Sequence, residues 1–347
     1  MMGRIASLKA EYFQIPLKNP FILSIRTAHH ANVIRWRLRL EDGRAFPGES
    51  VPVQYVTGET PESVLMVAPK IEAILRGAAI EDMYHLIHEM AEVLPRDVAA
   101  RAGVEIALYN AYSVECGIGV EKLLGGENAT LETDLTIARI PNAVEVARAA
   151  WREGFRIFKM KVGGGPMEED YDRILGVAET LPEAIFRLDA NQSLTPETTV
   201  ELTERLLQND ITIELIEQPV PKEDLKALDE VSKVSPVPII ADEACRTPPE
   251  AYRIFSETAT HGVNVKLMKS GIQGALAIIR IAKAAGRKLM IGCMLESEVG
   301  MAASVNLACG TGAFDYVDLD GHVLLDLQEP ISLFRAEGPR LSAYSRR

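Results

Sequence analysis

Five charged residues recur along the second half of the chain at spacings of about 24 to 28 residues, the length of a βα unit. They are Lys161, Asp189, Glu217, Asp242 and Lys266, and each closes a short apolar run. A buried strand should finish in apolar or turn residues, because an isolated ionised group is costly at such a depth. Three carboxylates brought together repel one another and hold their protons unless a cation sits among them. Their all-oxygen character suits Mg²⁺ or Mn²⁺ rather than zinc. The flanking lysines suit proton transfer, since a lysine acts as a base once burial or a neighbouring positive charge lowers its pKa. Lys159 and Lys161 lie two apart on one strand and share its inner face, with Phe158, Met160 and Val162 on the other. Their mutual repulsion favours loss of a proton from Lys161. Val265 and Leu267 flank Lys266 in alternation, so Lys266 is assigned to the chemistry and Lys269 to a solvated loop.

Two lysines separated by three carboxylate strands face each other across a common mouth. The set fits proton transfer at a carbon next to a carboxylate. A metal on that carboxylate stabilises the ene-diolate, and fixed bases on opposite faces permit inversion.

The elements that would position these residues are legible from residue 132 onward. Short apolar runs at 135–137, 155–161, 185–189, 213–217, 237–241, 263–266, 288–292 and 314–318 read as strands. Amphipathic segments such as 196–208 and 272–285 separate them and read as helices. Eight such units close an α/β TIM-type (β/α) barrel, with active residues at the C-terminal mouth. A doubly wound open sheet is the alternative, but the Gly-rich first turn expected of it is absent. Before the barrel, Ile34, Trp36, Leu38 and Leu40 alternate with Arg35, Arg37 and Arg39, and Asp42-Gly43 supplies a hairpin turn. Helical periodicity follows from Pro61 to Cys116. The expected domains are therefore an α+β capping domain over residues 1–125, joined by 325–347, and a catalytic barrel over 126–324.

An excess of 49 acidic over 37 basic side chains, with no basic cluster, argues against nucleic acid and anionic lipid as partners. Cys116, Cys245, Cys293 and Cys309 form no CxxC pair, so neither a zinc site nor a disulfide framework is expected. No uncharged stretch approaches the roughly 20 residues of a membrane span, and residues 1–17 lack a signal-peptide core. The expected setting is cytoplasmic, as a homo-oligomer acting on a small molecule.

Lys159-Met160-Lys161, Asp189-Ala190-Asn191, Ile216-Glu217-Gln218-Pro219, Ala241-Asp242-Glu243 and Val265-Lys266-Leu267-Met268-Lys269-Ser270-Gly271, in that order, resemble the enolase superfamily. The likeness is to its muconate-lactonizing subgroup and spans nearly the whole chain. It implies Lys161 and Lys266 as acid/base pair, Lys159 supporting the oxyanion, and Asp189, Glu217 and Asp242 binding Mg²⁺. Asn191 and Glu243 would support those ligands. Gly292-Cys293-Met294-Leu295-Glu296-Ser297 and Asp318-Leu319-Asp320 further resemble the dipeptide epimerases, including the L-Ala-D/L-Glu type.

That likeness implies Asp318 and Asp320 holding a dipeptide's ammonium, and Cys293, Met294 and Glu296 touching substrate. It also implies a loop at 19–30 over the site, with Arg26 facing a substrate carboxylate, and a second loop at Thr57-Gly58-Glu59-Thr60. Phe46-Pro47-Gly48-Glu49 departs from the usual Gly-Trp-Gly-Glu and is expected to alter the pocket wall. Tyr109-Asn110 replaces a helix aspartate and reads as structural. His29 and His30 read as solvated loop residues. On the same scaffold, an N-acylamino-acid racemase, o-succinylbenzoate synthase or muconate-type cycloisomerase would take a substrate without a free ammonium, against which Asp318 and Asp320 speak. A lysine Schiff-base aldolase and a barrel that only binds are the remaining classes.

Overall fold

The structure, a computed structural model, describes residues 2–22, 27–127, 129–327 and 331–344. β1 (Ile5–Ile22), β2 (Thr27–Leu40) and β3 (Ala45–Ser50) form an antiparallel sheet in that order. On β2 the alternation holds: Ile34, Trp36, Leu38 and Leu40 are buried and the intervening arginines are exposed. Gly43 turns the chain at a φ of 92°, and Arg39 then pairs with Ala45. The helix Val98–Cys116 packs on this sheet so closely that a Cβ on Gly48 would lie 2.0 Å from the carbonyl oxygen of Gly103. Glycine at both positions is what permits the approach. Trp36 Nε1 donates to Ser50 Oγ at 2.8 Å, and Ser50 Oγ donates to the Ala99 carbonyl, tying sheet to helix.

After the short β4 (Leu131–Glu132), eight parallel strands follow in spatial order. They are β5 (Leu135–Ile137), β6 (Ile157–Lys161), β7 (Ile185–Asp189), β8 (Thr212–Glu217), β9 (Ile239–Ala241), β10 (Gly262–Val265), β11 (Lys288–Gly292) and β12 (Tyr316–Asp318). The two ends of this sheet meet: Asp134 N donates to the Val317 carbonyl, Leu319 N to Thr133 Oγ1, and Thr136 N to Asp320 Oδ2 at 2.6 Å. The sheet therefore curls into a barrel rather than remaining open. Its strands are buried on both faces, as helix-covered parallel strands must be. Leu215, Ile240 and Met290 form a small apolar cluster of their own, apart from the main core between strands and helices.

The helix Pro196–Leu207 starts at a Thr195–Thr198 capping box, close to the expected 196–208. The helix Leu267–Ala284 is kinked at Gly271, whose φ is 66°, so its regular part begins at Ile272. β13 (Phe334–Glu337) and β14 (Arg340–Ala343) form a hairpin that pairs with β4 rather than with the β1–β3 sheet, which residues 325 and 326 touch at Leu17 and Pro16. No helix among the described residues is long and apolar enough to cross a membrane.

Carboxylates join the cap to the barrel. Glu105 of the helix Val98–Cys116 accepts from Ile272 N at 2.7 Å and Gln273 N at 3.1 Å, capping the kinked barrel helix. Glu49 at the end of β3 accepts from Ser297 N at 2.7 Å and from Ser297 Oγ. Phe46–Glu49 thus belongs to this junction and not to a pocket wall, a correction to the expectation from sequence. Asn110 Nδ2 donates to the Pro47 carbonyl at 2.9 Å, in keeping with a structural role.

Candidate active site

Alternation along β6 sends Lys159 and Lys161 to one face and Phe158 and Met160 into the core on the other. In register, Lys161 pairs with Asp189 and Asp189 with Glu217, so one level of the barrel carries all three. Asp242 follows β9, its backbone N held by Gln218 Oε1 at 2.9 Å. Lys266 stands between β10 and the next helix in extended conformation. β11 ends in Gly292, where a Cβ would come within 2.8 Å of Lys266 Cε.

The lysine ammoniums sit between the carboxylates. Lys159 Nζ is 3.0 Å from Asp189, 2.7 Å from Glu217 and 2.6 Å from Asp318. Lys161 Nζ is 2.5 Å from Asp189, and Lys266 Nζ is 2.7 Å from Asp242 and 3.9 Å from Glu217. Lys269 overturns its assignment to a solvated loop. It is 1% exposed, and its Nζ donates to Asp242 Oδ1 and to the carbonyls of Asp242 and Asn264. The tight turn that opens the helix, closed by Lys269 N donating to the Lys266 carbonyl, folds it back beneath the strand end toward those acceptors.

Burial opposes charge on every one of these groups, and their neighbours decide the outcome. For Lys159, the carboxylates of Asp189, Asp318 and Glu217 outweigh burial and hold the pKa well above the usual lysine range. Asp242 and Glu217 do the same for Lys266. Lys266 and Lys269 hold Asp242 well below the usual carboxylate range against burial. Burial and then Asp189 push Glu217 up to about 8.

A cavity of about 310 Å³ opens at this mouth. Its barrel wall includes Lys159, Lys161, Asn191, Asp242, Glu243, Lys266, Cys293, Met294, Asp318 and Asp320, while Asp189 and Glu217 lie behind it. Asn191, at a φ of 41°, donates from its backbone to Asp189 Oδ1 and from its side chain to Glu243 Oε1.

The structure separates Glu296 from the other proposed substrate contacts. Fully buried behind the loop, it accepts from Met294 N at 2.9 Å and packs toward Glu49; it does not line the cavity. His29 and His30 do line it, on β2 rather than in a loop, while staying exposed to solvent as expected. Residues 57–60 stay outside the lining. Glu59 is instead buried, accepting from Ala99 N and Ala100 N at the start of the cap helix. Arg26 lies outside the described residues.

Three buried groups escaped the sequence reading. Asn264 Nδ2 donates to Glu217 Oε1 at 2.7 Å, and Asp134 accepts from Arg187 Nη1 at 2.8 Å. Asn264 and Arg187 each lie two residues before a strand-end charge, and that same-face spacing was a usable signal. Asp134 had none, because its neighbours come from β7 and β12.

A closed (β/α) barrel with opposed buried lysines, carboxylates on adjacent strand ends and a cap over the mouth is the architecture of a metal-assisted acid/base enzyme. The chain belongs to the enolase superfamily, in the dipeptide epimerase group: residues 142–334 match the family described as Enolase C-terminal domain-like. It is 36% identical to an L-Ala-D/L-Glu epimerase of Thermotoga maritima, over 98% of this chain and 99% of that one. The solved substrate-liganded complex of the L-Ala-D/L-Glu epimerase from Bacillus subtilis superposes with a TM-score of 0.95 at 29% identity, covering 99% of this chain and 97% of that one. A dipeptide epimerase from Enterococcus faecalis, complexed with Mg and L-Leu-L-Tyr, gives 0.93 at 30% identity, covering 99% and 98%.

Proposed function

We propose that the chain is a Mg²⁺-dependent dipeptide epimerase that inverts the α-carbon of the C-terminal residue by 1,1-proton transfer. The observation that carries this reading is the placement of Lys161 and Lys266. Both line one cavity, on strands four apart in a ring of eight, and so on opposite walls. Inversion needs a proton removed from one face and another delivered to the opposite face.

Asp189, Glu217 and Asp242 are the residues that would hold the cation. They offer an all-oxygen donor set on adjacent strand ends, and Glu217 Oε2 accepts no well-aligned hydrogen bond from the described residues. A divalent cation bound there would take over the carboxylates' charge from the lysines and offset the charge that builds on a substrate carboxylate. Lys159, kept charged by its neighbours, supplies a fixed positive charge to the same oxygens. Asp318 and Asp320 take the dipeptide's ammonium, and Cys293 and Met294 wall the cavity beside them. The family's dipeptide-bound relatives support this assignment.

A dipeptide library incubated in D₂O and read by mass spectrometry should show α-deuteration of some members. Lys161→Ala and Lys266→Ala should each stop epimerisation while still exchanging the α-proton of opposite enantiomers. Unchanged epimerisation in either variant refutes the two-base assignment. Exchange in N-succinylamino acids but not in dipeptides would move the chain to the acylamino-acid racemases, and borohydride trapping of substrate would indicate a Schiff base.

A further inference from the structure

Beneath Asp318 and Asp320 lies a third carboxylate that belongs to none of the motifs. Asp134 is fully buried; Arg187 holds its Oδ2, while its Oδ1 is buried and accepts no hydrogen bond from the described residues. One oxygen from each of Asp134, Asp318 and Asp320 lies within 4.8 Å of the other two. Each carboxylate is also tied back into the wall: Asp134 by Arg187, Asp318 by Lys159 and Asp320 by Thr136 N. Both cations are shared with other acids, Lys159 with Asp189 and Glu217, and Arg187 with Glu214. The cluster is therefore short of positive charge. Consistent with this, burial and then Asp318 raise the proton affinity of both Asp134 and Asp320.

Resting on the epimerase reading, we propose that Asp134 is a specificity-determining residue that completes a three-carboxylate seat for the substrate's ammonium. A group centred among oxygens so spaced comes within hydrogen-bond reach of all three. A primary ammonium brings three N–H donors and a unit charge to that point. An acylated nitrogen brings one N–H and no charge, leaving buried acceptors unpaired and like charges uncompensated. The Lys159 ammonium, 2.6 Å from Asp318, repels a divalent ion twice as strongly as a monovalent one, which favours the ammonium over a second metal.

The test is kcat/KM for a free dipeptide and its N-acetyl form, in the parent and in Asp134→Asn. The parent should strongly prefer the free ammonium. The variant should lose roughly tenfold to a hundredfold of that preference, through a raised KM for the free dipeptide, the scale of one hydrogen bond to a charged group. A merely structural role would depress both substrates alike, and an unchanged preference overturns the proposal. If Asp134→Asn does not fold, Asp134→Asn with Arg187→Gln removes both charges of the buried pair and is read in the same way. Calorimetric titration that finds a second Mg²⁺ per chain, lost in the variant, also overturns it. A parent indifferent to acetylation refutes the epimerase reading itself, and this proposal with it.

Discussion

Glu296→Gln probes how the barrel loop is held against the cap. In the folded chain Glu296 is fully buried, and a Cβ on Gly300 would lie 2.7 Å from Glu296 Oε2 and 2.9 Å from Glu49 Oε1, so the two carboxyl groups crowd one point. Burial first, and Glu49 after it, push Glu296 up to about 8 from an ordinary value of 4.5. An acid raised in this way keeps its proton when folded and releases it when unfolded. Its contribution to stability is complete below the unfolded pKa and is lost as pH rises through the folded one. The slope is about 1.4 kcal/mol per pH unit per proton, so raising the pH from 6 to 7.5 should cost about 2 kcal/mol through this group alone.

Glutamine has the shape of the neutral acid and no proton to lose. Urea unfolding of parent and variant at both pH values, followed by the fluorescence of buried Trp36, should show the variant's loss smaller by about 2 kcal/mol. Glu59, Glu105 and Glu243, each raised to about 7 chiefly by burial, add a slope common to both proteins. Equal losses in parent and variant would refute the raised proton affinity assigned to Glu296.

Chelator should abolish turnover and added Mg²⁺ restore it; Asp242→Asn should bind Mg²⁺ far more weakly in calorimetry while still unfolding cooperatively. Full activity in excess chelator would remove the metal from the reading. Lys269→Met removes the ammonium that donates to Asp242 Oδ1 and to two buried carbonyls, and should cost about 3–5 kcal/mol in urea unfolding. Gly48→Ala places a Cβ 2.0 Å from the Gly103 carbonyl oxygen and should cost about 1–3 kcal/mol, read as a lowered Tm. Unchanged stability in either variant would show that the contact is not as described.

The barrel and its charged strand ends were legible because both are periodic. A βα unit repeats at nearly constant length, and a strand buried on both faces announces an ionisable residue by its rarity. Lys161, Asp189, Glu217, Asp242 and Lys266 each stood at the end of such a run, and alternation alone placed Lys159 beside Lys161. What sequence could not decide was which polar groups meet across the barrel. Lys269 looked like a loop lysine because its acceptors lie on Asp242 and Asn264. Glu296 looked like a substrate contact because its local motif does not reveal that Glu49, some 250 residues earlier, anchors the adjacent Ser297 to the cap. Asp134 carried no signal at all: it joins Asp318 and Asp320 only because the first strand closes on the eighth. Strand-end chemistry follows from local pattern, whereas the pairing of a buried charge is set by neighbours that only chain closure brings within a few ångströms, where the low dielectric makes them decisive.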